Sequence, residues 1–169
     1  MTMARAFSAF ANDGVMCEPR AITKVTDSTG KNYEVPATKC EQVIKKEVAQ
    51  GVNHVLEQVI VKGSAYQRGI GLPNASAAKT GTTDNSTQTW MLGYTKGLST
   101  ASWVGNYEYG SRSLNGLNIG GKTGGSGTDW VDGATYAGAQ WQNYMKAVAP
   151  SYSTAPFSDP PASVLSTTK

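Results

Sequence analysis

Three runs of residues between positions 76 and 106 constrain this chain more than any other feature. Ser76 to Thr82, Thr89 to Tyr94 and Thr100 to Asn106 are strand-like, and short polar turns separate them. Parallel pairing would need crossovers of roughly a dozen residues, so these runs predict an antiparallel meander. Helical periodicity lies on both sides of it. Met3, Ala6, Phe7, Phe10 and Ala11 recur at three and four residues. They predict a helix over 2–13, with Thr2 as its cap and Asn12-Asp13-Gly14 as its stop. Ile44, Val48, Val52, Val55, Leu56 and Val59 form the apolar stripe of a second helix over 42–61. Ala137, Trp141, Tyr144, Met145 and Val148 share one side of a third helix over 134–148, which Pro150 stops. Helices at both ends of an antiparallel sheet define an α+β fold.

The remaining segments are connections. Ala21–Thr26 and Lys31–Val35 read as a hairpin around Asp27-Ser28-Thr29-Gly30. Residues 62–74 and 107–133 are Gly-rich, aperiodic loops. From 150 on, Pro, Ser and Thr dominate, so one domain over 1–149 and a disordered tail over 150–169 are expected. Apolar residues make up 39% and charged residues 16%, enough for one core. The net charge of +3 is spread without a basic patch, which argues against nucleic-acid binding. No apolar run approaches the roughly 20 residues of a membrane helix. Residues 1–10 carry no secretory signal, which points to a cytoplasmic protein unless the chain is part of a longer one. Cys17 and Cys40 lie outside any Cys-x-x-Cys pattern, and His54 is the single histidine, so no metal site and no cofactor are expected. The cysteines form either a disulfide or two thiols. A disulfide would add about 3 kcal/mol in the chain-entropy model and would place folding outside the cytosol.

The strongest chemical signal is Ala78-Lys79-Thr80-Gly81-Thr82-Thr83. On a strand edge, Lys79 supplies a fixed positive charge near a reacting group. The hydroxyls of Thr80, Thr82 and Thr83 suit a carboxylate. Gly81 lets an extended substrate lie against the backbone and pair as an added strand. The Thr82 N–H can point at a developing oxyanion.

Downstream come Trp90-Met91-Leu92-Gly93-Tyr94-Thr95 and Ser102-Trp103-Val104-Gly105-Asn106. Upstream come Met3-Ala4-Arg5-Ala6-Phe7, Phe10-Ala11-Asn12-Asp13-Gly14, and Pro19, Ile22, Lys24, Val25 and Gly30. Gly133-Ala134 through Trp141 completes the set. In order and spacing, nearly all of residues 1–148 resembles the C-terminal part of a class A (bifunctional) penicillin-binding protein transpeptidase domain. The cysteine pair resembles that of actinobacterial members. The resemblance implies part of the serine β-lactamase and penicillin-binding protein fold, on the extracytoplasmic face of the membrane. Such proteins cross-link peptidoglycan. A serine in Ser-x-x-Lys attacks a D-Ala-D-Ala stem peptide, and β-lactams acylate the same serine. By position, Lys79 would reach toward the serine of a Ser-x-Asn motif. Thr80 and Thr82 would hold the terminal carboxylate, and the Thr82 N–H would form half of the oxyanion hole. The implied partners are the stem peptide, β-lactams, the N-terminal part of the same domain, and the membrane through an N-terminal anchor.

The chain departs from this pattern. In the family both serine motifs precede Lys-Thr-Gly, the first of them far upstream. Here Ser28-Thr29-Gly30-Lys31 falls in a turn, Ser166-Thr167-Thr168-Lys169 at the extreme tail, and Ser113-Leu114-Asn115 after Lys79. The chain alone is therefore expected to be inactive. A non-catalytic cell-wall peptide or protein-binding domain is the alternative. Ala78 and Gln88-Thr89 replace a common Gly and a common Asp-Ala. Gly116 to Thr123 formally matches a phosphate-binding loop, G-x-x-x-x-G-K-T. The glycines after Lys122 oppose the helix that such a loop requires. Trp90, Trp103 and Trp141 are expected in the core, and Trp130 in a loop where it can meet substrate.

Overall fold

The computed structural model describes residues 1–107, 112–119, 122–123 and 130–165. The order is α1 (Thr2–Ala11), β1 (Val15–Cys17), β2 (Val25–Thr26), β3 (Asn32–Tyr33), β4 (Cys40–Gln42) and α2 (Lys46–Val61). Then come β5 (Ala77–Thr82), β6 (Gln88–Tyr94), β7 (Ser99–Gly105), β8 (Asn118–Ile119), β9 (Lys122–Thr123), α3 (Tyr136–Val148) and one final turn, α4 (Ala162–Leu165). The α+β arrangement expected from the sequence is present. Thr2 lies inside α1 and does not cap it, because the preceding position is Met1, which offers no cap.

The central sheet is the antiparallel meander β5-β6-β7. Ala77 stands opposite Tyr94, Gly81 opposite Trp90, and Trp90 opposite Trp103. Side chains alternate across a strand, so each face receives its own set. On one face lies α3, with Trp141 fully buried among Ala78, Met91 and Met145. The ring reaches β6 so closely that a Cβ at position 93 would sit 2.5 Å from it, and its indole N–H donates to the Gly93 carbonyl at 3.2 Å. Burying one tryptophan contributes at most about 5 kcal/mol. On the other face, Tyr94 and Ala77 meet Ala11, Phe7, Phe10 and Leu56. Trp103 does not join the core. It is 37% exposed on β7, where its indole N–H reaches Gln88.

Helix α2 corrects the stripe read from the sequence. Val48 is 45% and Val55 61% exposed, whereas Ala49, Gln50, Gly51 and Asn53 are buried. The helix packs between α1 and β5. Close approach there favours small residues, and buried polar groups need a partner. Asn53 supplies one. Its amide donates to the Phe10 carbonyl at 2.9 Å, and its Oδ1 accepts the Tyr94 hydroxyl at 2.7 Å.

Chain between α1 and α2 is closed by a short ladder that the sequence reading did not predict. β1 pairs with β4, Cys17 stands opposite Cys40, and a disulfide joins them. Gly14 ends α1 at φ +89°, as expected. The β2–β3 hairpin projects from this loop, with the Asp27 carboxylate taking the Thr29 and Lys31 N–H groups. The tail expected to be disordered from 150 runs over the domain here. Phe157 packs edge-on against Tyr94 at 5.5 Å, and Val164 of α4 lies over Gly51. Residues 166–169 lie outside the described residues. Among the described residues no helix is long and apolar enough to cross a membrane.

Burial, with Glu57 nearby as a smaller cause, pushes the Tyr94 phenol above its ordinary value of 10.0. An unfolded chain ionises this group at the ordinary value while the folded chain does not. Its contribution is therefore intact below about pH 10 and is lost as pH rises toward the raised folded value. Asn53→Ala should cost about 2–4 kcal/mol, because it orphans both the Tyr94 hydroxyl and the Phe10 carbonyl. Tyr94→Phe should cost about 1–2 kcal/mol and flatten the fall in stability above about pH 10. Urea unfolding at neutral and alkaline pH measures both.

Candidate functional site

β5 begins inside the core and ends at the surface. Ala77 and Ala78 are fully buried, while Lys79 and Thr82 are exposed and Thr80 and Gly81 half-buried. Among the described residues β5 pairs only with β6, so its other edge has no strand partner. The Thr83 N–H donates to the Gln88 carbonyl, across the ladder. Antiparallel pairing alternates inward and outward groups along a strand. The Thr82 N–H and the Thr80 backbone groups therefore point off the free edge. Lys79 confirms the direction, since its ammonium donates to the Thr80 carbonyl at 2.7 Å. The free edge thus gathers one positive charge, the Thr80 and Thr82 N–H groups and two nearby threonine hydroxyls, all suited to an anion.

Strand alternation puts Lys79 and Gly81 on one face and Thr80 and Thr82 on the other. Each threonine hydroxyl has a partner from another segment. Thr80 Oγ1 lies 2.8 Å from Ser64 Oγ, in the connection after α2. Thr82 Oγ1 accepts the Gly133 N–H at 3.0 Å. Gly133 lies directly over the ladder. A Cβ there would collide with the Trp90 carbonyl and come within 2.7 Å of Gly81 N and O. Thr83 is placed elsewhere. Its hydroxyl accepts the Gln88 N–H at 2.9 Å and pairs with Thr87 Oγ1 at 2.8 Å, closing the β5–β6 turn. The structure thus brings Lys79, Thr80, Gly81 and Thr82 together and leaves Thr83 in the turn.

Arg68 ties down the loop that carries Gly133. Arg68, in a 3-10 turn over Tyr66–Arg68, binds Asp132 Oδ2 at 3.0 Å and donates to the Trp130 carbonyl at 3.0 Å. The other Asp132 oxygen takes the Ala134 N–H at 2.8 Å. The Trp130 side chain is 65% exposed, as a loop position allows.

The competing motifs resolve into structural parts. Ser28 lies in the β2–β3 turn, and Lys31 sits over the Tyr33 ring at 5.2 Å. Ser113-Leu114-Asn115 is a brace. Leu114 is 2% exposed, its N–H donates to the Ser86 carbonyl, and Asn115 Oδ1 accepts the Val131 N–H at 2.8 Å. Residues 118–119 and 122–123 pair as antiparallel strands, so Lys122 lies in a strand and not at the helix start that a phosphate-binding loop needs. Residues 120–121, in the middle of that motif, lie outside the described residues, as does Ser166-Thr167-Thr168-Lys169. Among the described residues no three His, Cys, Asp or Glu side chains converge to hold a metal.

Comparison with known proteins agrees with this α+β fold. The family model of the penicillin binding protein transpeptidase domain matches residues 1–114, and the chain belongs to that family. Penicillin-binding protein 1A of Aquifex aeolicus is 28% identical over 165 residues, covering 98% of this chain and 20% of that protein. The protein of the same name from Mycolicibacterium smegmatis is 36% identical over 116 residues, covering 64% of this chain and 14% of its own. The structure of penicillin-binding protein PonA1 from Mycobacterium tuberculosis matches with a TM-score of 0.75 at 27% identity, over 94% of this chain and 40% of that one. The chain thus spans a fifth or less of these curated relatives' length.

Sequence reasoning missed Ser64, Arg68 and Asp132. They lie 16 to 64 positions from the residues they bind, and no local pattern marks such a pairing. In sequence, Gly133 reads only as the start of the closing helix. Gly133→Ala should destabilise the chain by about 3 kcal/mol, because the atoms in its way are backbone and cannot step aside. It should also broaden the Thr82 and Trp90 amide signals. A melting curve and an amide spectrum check both.

Proposed function

We propose that residues 79–82 are the substrate-docking edge of a serine D,D-transpeptidase, and that this edge holds the terminal carboxylate of a D-Ala-D-Ala stem peptide. The unpaired outer edge of β5, with Lys79 and the two hydroxyls beside it, carries the reading. An extended peptide adds along that edge by main-chain hydrogen bonds, and Gly81 leaves room for it. Thr80 and Thr82 donate to the carboxylate, and Lys79 supplies charge at the reacting group. The Thr82 N–H faces the oxygen that becomes an oxyanion when the penultimate carbonyl is attacked. In that step a serine Oγ bonds to the carbonyl carbon, the peptide C–N bond breaks, and D-Ala leaves with the serine's proton. An amine of a second stem then displaces the ester. A β-lactam takes the same place as an acylating mimic.

The serine itself is assigned to polypeptide beyond these 169 residues. Ser28 is in a hairpin turn, Ser76 is buried just before β5 and Ser113 is in a brace, and none of them heads a helix behind Lys79. Exposed Val48 and Val55 on α2 support packing against further chain of the same domain. The Cys17–Cys40 disulfide supports folding on the extracytoplasmic side.

Incubated with a fluorescent penicillin, the 169-residue chain should remain unlabelled; covalent labelling would place a nucleophile within it. In a longer polypeptide that restores Ser-x-x-Lys, Lys79→Met should slow penicillin acylation by about 100-fold, the typical effect of one electrostatic group at such a site. An unchanged acylation rate would remove Lys79 from the site.

A further inference from the structure

We propose that Asp132 and Gly133, latched by Arg68, are positioning residues that set the Thr82 hydroxyl as a donor toward the ligand's anion. This rests on the reading of residues 79–82 as a carboxylate-docking edge, and it adds what makes that edge prefer a carboxylate.

A threonine hydroxyl has one proton and two lone pairs, so a free one serves donors and acceptors alike. Thr82 is not free in this sense. A backbone N–H can only donate, and that of Gly133 occupies a lone pair of Thr82 Oγ1 at 3.0 Å. The hydroxyl proton must then point elsewhere. Among the described residues no acceptor takes it, and Thr82 is exposed at the free edge. A proton held outward there selects an acceptor. Thr80 differs, because its partner is the Ser64 hydroxyl and either oxygen can be the donor. Thr82 is therefore the hydroxyl of the pair with a fixed polarity.

Two constraints hold Gly133 in place. Its lack of a side chain lets its backbone rest on the Gly81–Trp90 pair. The Arg68 fork then ties Asp132 and the Trp130 carbonyl to the turn that follows α2. Asp132 spends one oxygen on Arg68 and the other on the Ala134 N–H, and the Thr135 hydroxyl donates to the Asp132 carbonyl at 2.6 Å. The Gly133 N–H is left aimed at the sheet. Without Arg68 the loop keeps its local turn but loses its ion pair to the turn after α2, and Thr82 regains freedom to rotate.

The test titrates the isotope-labelled 169-residue chain with an N-acyl-D-Ala-D-Ala and with the same peptide as its C-terminal carboxamide, following the Thr80, Thr82 and Gly133 amides. Wild type should bind the carboxylate more tightly. Arg68→Ala and Asp132→Asn should each weaken carboxylate binding by about tenfold and leave carboxamide binding within about twofold. Arg68→Lys, which keeps the ion pair with Asp132, should recover part of the loss. Partial unfolding lowers both affinities equally, so the ratio isolates the latch. The sign separates it from bulk charge: removing a negative charge at Asp132 would by itself strengthen anion binding, whereas the latch predicts weakening. Variants with the wild-type ratio, or a tighter carboxylate complex in Asp132→Asn, overturn the latch and leave the docking edge standing. If neither peptide moves the Thr80 and Thr82 amides of wild type, the docking edge itself fails, and the latch with it.

Discussion

Trp141 reaches so close to β6 that position 93 has no room for a Cβ, and its indole N–H is held by the Gly93 carbonyl. That seat fixes the angle and height of α3 on the sheet. The loop before α3 must then cross over the end of β5, and Gly133 comes down on the Gly81–Trp90 pair. The hydrogen bond from Gly133 to Thr82 follows from this packing. A core contact on β6 is thus linked to the hydroxyl geometry at the edge of β5 through α3 and the loop before it.

The opposite face of the sheet is organised by a different kind of contact. Asn53 bridges the Phe10 carbonyl and the Tyr94 hydroxyl, joining α1, α2 and β6 in one buried polar relay. Tyr94 also forms the floor on which Phe7 and Phe157 pack edge-on. Hydrophobic burial alone would have turned Val48 and Val55 of α2 inward. The polar relay and the small residues around it turn them outward instead, which leaves the domain an apolar surface to share.

Much of the fold was legible because its signals are local. The three strands, the helices over most of their length and the stop at Gly14 follow from period and turn chemistry. The edge motif was legible because Lys79, Thr80, Gly81 and Thr82 are consecutive. What stayed hidden depends on distance in sequence. The orientation of α2 could not be read from its valines, since a stripe shows that a helix has an apolar side without showing what covers it. Trp103 reads as core by composition and lies at a strand edge. Thr83 sits beside the edge motif in sequence, yet its hydroxyl serves the turn. Phe157 sits in a Pro- and Ser-rich stretch whose composition says nothing of the tyrosine that receives it.

By itself, the sequence determined that residues 76–106 form an antiparallel meander and that Lys-Thr-Gly-Thr lies on one of its strands, because side-chain period and turn residues act over a few positions. Only the tertiary structure decided that this strand is an edge, that its hydroxyls meet Ser64 and Gly133, and that Arg68 holds the loop above them. Those contacts join segments up to 64 residues apart. They exist only once helices and sheet have packed and brought together groups that carry no mark of each other along the chain.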